Sequence, residues 1–425
     1  MESAAHQLLT FGTLLILALL AEAVGRHTRL PRISLLVLLG FVLGPAVLDY
    51  IDPLSSRAFD FIAVLALSMV GFLVGGKLSR KLFHRSGWLI LRLSVAQALV
   101  TFSVVCAGLV LVSVPLELAL VMGALATATD PAATMDAIKQ ARAKGRFASA
   151  LTGIVAVDDA WGLIIFSIVV LAVQLMSLGA VDHSPLLVAA REVLGAIALG
   201  VGLGLPMALL SGRIKKGQPL LMEATGMVMV CAGLAVALHV SYLLACVAMG
   251  ITVTNFARHH KRPFHAVEEI EWPFLALFFL FSGAYLTTQA LGAAGLLLGA
   301  YLILRIVGRI AGGWLVSLRA GDDANLARWM GVAMLPQAGV AMAMAFQASA
   351  IFPELKDSVL PTVIAATAVF EFIGPLATRW ALANTQDQPA TPHRLGHEET
   401  LTDNRSTSNK TIRKSPGKPR TDTNS

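Results

Sequence analysis

The chain is 425 residues long, 56% hydrophobic and only 14% charged, with a mean hydropathy of +0.72 and a formal net charge of +7. So much apolar surface exceeds what one soluble core buries, which excludes an ordinary soluble enzyme and marks a polytopic membrane protein. Cys106, Cys231 and Cys246 fall in apolar runs without paired spacing, so they point to neither a disulfide framework nor a metal site.

In chain order the apolar runs give about thirteen candidate transmembrane helices, at 7–25, 33–48, 58–76, 86–111, 116–138, 148–176, 186–211, 220–237, 240–257, 272–288, 292–318, 326–350 and 358–383. The division between the eighth and ninth rests on Leu238-His239-Val240-Ser241 alone. Alternate loops, starting with the one that holds Arg26, Arg29 and Arg32, contain nineteen Lys and Arg residues. The opposite loops contain only Arg57, Arg191 and Lys356. This bias predicts cytoplasmic basic loops, an N-terminus outside and a cytoplasmic C-terminus. The positive charge then reflects membrane orientation, and no nucleic-acid partner is expected. Residues 384–425, rich in Thr, Asn, Pro, Lys and Arg, read as a disordered cytoplasmic tail.

Two spans carry breaks. In the fifth, Thr127-Ala-Thr129-Asp130-Pro131 interrupts the helix at mid-depth, because a proline removes a backbone donor and disfavours helical geometry just before it. Asp130 and Pro131 read as the N-cap and first residue of a new half-helix. In the twelfth, Leu335-Pro336-Gln337-Ala338-Gly339 repeats the pattern. Seven spans separate the breaks, so the two helices run in opposite directions, as in inverted repeats whose discontinuous helices cross near the membrane midplane.

The sixth span carries Asp158 and Asp159 side by side in an otherwise apolar run. A helix rising ~1.5 Å per residue from Ala148 brings them about 15 Å in, near the centre of the hydrocarbon. One aspartate there costs ~2.5–3.5 kcal/mol, so a pair reads as an ion or proton site. Asp158, Asp159, Thr129 and Asp130 are expected to share one cavity. There a proton and a cation compete for the carboxylates, with the Thr129 hydroxyl and freed carbonyls as further oxygen ligands.

Several motifs, in order over nearly all of 1–383, carry a resemblance. They are Gly40-Phe-Val-Leu-Gly44-Pro45, Met69-Val-Gly-Phe-Leu-Val-Gly75, Thr129-Asp130-Pro131, Val157-Asp158-Asp159-Ala160, Phe278-Phe-Leu-Phe-Ser-Gly283 and Leu335-Pro336-Gln337-Ala338-Gly339. With them the chain resembles the monovalent cation:proton antiporter superfamily, in particular electrogenic sodium/proton antiporters with an Asp-Asp pair and an NhaA-type fold. The resemblance implies a homodimer in which a core carrying the crossed helices moves like an elevator against dimerisation helices. We expect core helices at about 58–176 and 272–383, less the outer parts of the fourth and eleventh spans, and dimerisation helices at about 7–48 and 186–257.

The resemblance further implies that Asp159 binds cation or proton, transiently holding sodium together with Asp158. Asp158 is then a second proton-linked site, and two protons exchange per cation. Relatives with Asn at the first position are usually electroneutral. The resemblance also places a cation in the eleventh span, where it either pairs with the first aspartate or neutralises the ends of the broken helices; this span offers Arg305 and Arg309, and counting back from Pro336 favours Arg309. Arg where such relatives usually carry Lys stays charged, which weighs against two-for-one exchange. Gln337 is a supporting residue, and Glu371 is expected to pair with one of the arginines. The glycine pairs Gly71–Gly75, Gly295–Gly299 and Gly308–Gly312 suit close helix approach.

The expected activity is therefore sodium or lithium exchange for protons in the inner (plasma) membrane, serving pH homeostasis, without a resident cofactor. Potassium/proton exchange and sodium-coupled symport of an organic anion are the alternatives, and a channel or receptor would not need the paired acids. No hydrolase, phosphate-loop or metalloprotease motif is present, so no enzyme is expected.

Overall fold

The computed structural model describes residues 2–28, 31–51, 57–77, 87–177, 184–210, 220–257, 261–318, 324–337 and 339–385. Nearly all of the expected tail, 384–425, lies outside them. Their regular elements are α1 (Glu2–Thr28), α2 (Arg32–Leu43), α3 (Arg57–Lys77), α4 (Gly87–Leu111), α5 (Leu116–Leu125), α6 (Pro131–Ala141), α7 (Arg146–Ser177) and α8 (Ser184–Leu210). They continue with α9 (Leu220–Ala237), α10 (Tyr242–Phe256), α11 (Lys261–Ala284), α12 (Thr288–Ser317), α13 (Ala324–Ala333), α14 (Gly339–Ile351), a short 3-10 turn and α15 (Lys356–Asn384). Apolar stretches within α1, α3, α4, α7, α12 and α15 are each long enough to cross a membrane. The halves α5/α6 and α13/α14 divide the fifth and twelfth expected spans at the two proline motifs. The weak eighth division is a tight turn, with His239 at φ 55° and Ser241 capping α10 by accepting the Leu244 amide.

The helices pack as two groups. In the first, α12 lies against α4, α13 and α15, α4 against α5 and α7, and α15 against α6 and α14. In the second, α10 lies between α8 and α3, α11 contacts α2, α3 and α9, and α1 contacts α2 and α11. This grouping differs from the expected one: α3 and α11 join the second group, while α4 and α12 lie wholly within the first. Backbone contact is the reason for α3. A Cβ on Gly75 would overlap the Val247 carbonyl oxygen, and one on Gly250 the Phe72 carbonyl oxygen, so α3 and α10 touch where neither has a side chain. Gly308 and Gly312 likewise bring α12 against Thr101 and Gln97 of α4. Gly295 and Gly299 meet no described atom within 4 Å, so that spacing marks no helix contact among the described residues.

A seam of α2 against α15, α3 against α7 and α14, and α7 against α8 joins the groups. It leaves two cavities at the end of the molecule that carries Arg32 and Lys77.

Candidate functional site

Residues 126–130 and 334–337 are non-helical, and the two unwound segments touch: the Asp130 amide donates to the Pro336 carbonyl at 3.1 Å. Asp130 restarts its helix as the sequence suggests. Its carboxylate accepts the Ala132 and Ala133 amides at 2.9 and 3.2 Å, and Pro131 occupies the first turn, where a missing amide hydrogen costs nothing.

Ending two helices inside the bundle strands carbonyls that water would otherwise satisfy. Arginine, with five donors in a fixed fork, meets that demand. Arg305 donates to Ala126 at 3.1 Å and Ala128 at 2.9 Å on one break, and to Leu335 at 2.7 Å and Pro336 at 3.4 Å on the other. The Phe370 ring covers its guanidinium, with 4.3 Å between the guanidinium carbon and the ring centroid. Arg309, one turn on, donates to the Ala126 and Thr127 carbonyls and pairs with Asp158 at 3.0 Å, both side chains being fully buried. Gln337 donates to the Leu125 carbonyl at 3.2 Å and to the Tyr301 hydroxyl at 2.9 Å. Tyr301, Arg305 and Arg309 follow at intervals of four and so form one face of α12. The helix termini also place negative partial charge at these cations.

Adjacent helical residues point about 100° apart, and the two acids accordingly diverge. Asp158 turns toward Arg309. Asp159 turns toward a cavity of about 770 Å³ that Thr129 and Asp130 also line. Among the described residues neither Asp159 oxygen, nor the Thr129 hydroxyl, makes a well-formed hydrogen bond, although the Thr129 amide lies toward Asp159 and its hydroxyl toward Asp158. Of the residues expected to share one cavity, Thr129, Asp130 and Asp159 do, whereas Asp158 does not line it. Val70, Leu73, Phe279 and Val340 are among the apolar residues of the cavity wall.

Glu371 departs from expectation. It takes no ion pair from Arg305 or Arg309, whose donors serve the carbonyls and Asp158; its Oε2 instead accepts the backbone amide of Ser34 at 2.9 Å. The helix periodicity explains this, since the neighbouring Phe370 occupies the face of α15 that meets Arg305.

Sequence reasoning also missed the cavity mouth, where Lys77, His265, Glu268 and Glu271 gather from α3 and α11. His265 lies 3.4 Å from Glu268. Burial pushes the Glu271 carboxyl up to about 7; Lys77 pulls it down and Glu268 adds to the rise. In the sequence Lys77 belongs to the basic loops that set orientation, and the signal for this cluster is the acids Glu268 and Glu271 that follow basic residues of the 258–265 segment.

Residues 13–384 match the family model described as sodium/hydrogen exchanger, transmembrane. A Na(+)/H(+) antiporter NhaP of Pseudomonas aeruginosa is 30% identical over 141 residues, 33% of this chain and 33% of that protein. The aligned part thus spans a third of that relative's length. The ammonium/H(+) antiporter subunit AmhT of Alkalihalophilus pseudofirmus is 24% identical over 327 residues, 74% of this chain and 82% of that protein. Among solved structures, the sodium proton antiporter MjNhaP1 of Methanocaldococcus jannaschii at pH 8 superposes with a TM-score of 0.70 at 17% identity, covering 92% of this chain and all of the other. An electron-microscopy structure of the same antiporter gives 0.64 at 18% identity, over 90% and 95% of the chains. The family match extends over both broken helices and the Asp159 cavity between them, and on that ground the chain belongs to the sodium/hydrogen exchanger family.

Proposed function

We propose that the protein exchanges sodium, and lithium with it, for protons, both binding in turn on Asp159. The observation that carries this reading is Asp159 itself: a buried carboxylate at the crossing of two broken helices, lining a cavity and with no side-chain partner for either oxygen among the described residues. A carboxylate so placed has to be neutralised, by a proton or by a cation. Thr129 offers the unpartnered hydroxyl oxygen that a hard cation takes as a further ligand. Proton and cation cannot occupy the carboxylate together, so alternating access to the two sides yields obligatory exchange.

The Asp158–Arg309 pair argues for one proton per cation instead of the two that the adjacent acids suggest. Arginine keeps its charge throughout, so the pair has no net charge to exchange. The predicted orientation follows from the basic loops: cytoplasmic Arg32 and Lys77, a cavity open to the cytoplasm, and an N-terminus outside in the plasma membrane. The first helix group, with both breaks, is the moving elevator; the second stands still and forms a homodimer through exposed apolar faces such as Leu8, Ile16 and Leu19 of α1. Such exchange would serve pH homeostasis.

Proteoliposomes with an imposed sodium gradient test this. Wild type is expected to move protons without net current, and Asp159→Asn to move none. Retained exchange in Asp159→Asn removes that residue from the site, and a sodium-evoked capacitive current refutes one-for-one exchange. AmhT is named for ammonium, which makes ammonium the competing cation here. A larger flux on an ammonium gradient than on an equal sodium gradient reassigns the substrate.

A further inference from the structure

Among the described residues, side-chain hydrogen bonds cross the seam between the helix groups at both ends. At the outer end Gln347 of α14 donates to Ser241 Oγ, the N-cap of α10. At the end with the cavities, Ser34 of α2 donates its backbone amide to Glu371 Oε2 at 2.9 Å and its hydroxyl to the Ala368 carbonyl at 3.1 Å, both on α15.

The inner link answers a need of α2. The first-turn amides of a helix have no partner within it, and here the N-cap position is Pro31, which offers no side-chain acceptor. A carboxylate at that terminus also meets the positive end of the helix dipole. Glu371 thus caps a helix of the other group. Around it the seam is unfilled: a cavity of about 820 Å³ lies beside the contact, lined by Glu371 with Arg32, Asp130, Asp136 and Arg379. The two groups are therefore held here by a hydrogen-bonded contact beside open space. Its position ties it to the transport site, because Phe370, the preceding residue, covers Arg305, and Gly374, one turn on, packs against Pro336.

We propose that Glu371 is a positioning residue for transport: by capping α2 across the seam it latches the moving group in the conformation whose cavity opens on the basic-loop side. This rests on the antiport reading above. When the group shifts, α15 leaves Ser34 and the capping bond breaks, so the Ser34–Glu371 hydrogen bond sets how long the open cavity persists.

Right-side-out and everted membrane vesicles give cation-driven proton flux with the cation presented to each face. Glu371→Ala is expected to raise KM on the basic-loop side about tenfold, the worth of one buried hydrogen bond, and to lower it on the opposite side. Glu371→Gln, which keeps an acceptor oxygen for the Ser34 amide, shifts KM less than Glu371→Ala, and Ser34→Ala, which keeps the amide, shifts it least. Equal shifts on both faces, or a loss of maximal rate alone, overturn the latch. Wild-type vesicles without flux refute the antiport reading, whereas active wild type with unshifted Glu371 variants refutes the latch alone. If Glu371→Ala does not reach the membrane, Ser34→Cys combined with Ala368→Cys, with Cys106, Cys231 and Cys246 replaced by Ser, decides the matter. Oxidation is expected to stop exchange and reduction to restore it, and full exchange by fully cross-linked protein overturns the proposal.

Discussion

Replacing either member of the Asp158–Arg309 pair separates its structural role from a transporting one. Both side chains are fully buried and meet at 3.0 Å, and removing one partner of such a pair costs about 3–5 kcal/mol because the other charge is left uncompensated. The two losses are unequal here. Arg309→Met strands Asp158 and also frees the Thr127 carbonyl, so its cost lies at the upper end, about 5 kcal/mol. Asp158→Asn leaves Arg309 on its carbonyls and keeps a polar neighbour, so its cost lies at the lower end, about 3 kcal/mol. The double variant is expected to fall short of the summed singles by roughly 2–3 kcal/mol. Equilibrium unfolding in mixed detergent micelles measures all three, and sodium-driven proton flux is followed on the same preparations. Asp158→Asn is expected to keep exchanging without current. Additive costs would refute the pair as a coupled unit. Abolished exchange in an Asp158→Asn protein as stable as wild type would make Asp158 a carrier of transported protons.

Thr129→Val keeps the shape and removes the unpartnered hydroxyl; cation KM should rise about tenfold with little change in maximal rate, and an unchanged KM would take Thr129 out of the ligand set. Glu271→Gln should act only in alkaline medium. With its carboxyl at about 7, Glu271 is ionised and attracts cations above that pH and is neutral below it, so the variant should show an apparent affinity about twofold weaker at pH 8.5 and match wild type at pH 6. A difference that persists at pH 6 would contradict the assignment.

The breaks were legible because their signals are local: proline removes a donor, and Asp130 supplies an acceptor just where the next half-helix needs one. The face of α12 that bears Arg305 and Arg309 was legible from spacing, and Tyr301, four residues earlier, belonged to the same pattern. Azimuth was not legible. Depth in the membrane brought Asp158 and Asp159 together on paper, yet a 100° turn sends one to a guanidinium and the other to a cavity. The same turn gives Arg305 to Phe370 and leaves Glu371 to α2. Group membership was hidden for a related reason. That α3 joins α10 depends on Gly75 meeting Gly250, 175 positions away, and the identical spacing at Gly295 and Gly299 meets nothing within 4 Å among the described residues.

Arg305 grips carbonyls of both unwound segments at once, and this bears on how the protein is made. The first break enters the bilayer long before α12 is synthesised, and until then the Ala126 and Ala128 oxygens lack the donors that later satisfy them. A chain that stops short of Arg305 therefore leaves the first unwound segment without the guanidinium that satisfies its carbonyls in the finished fold.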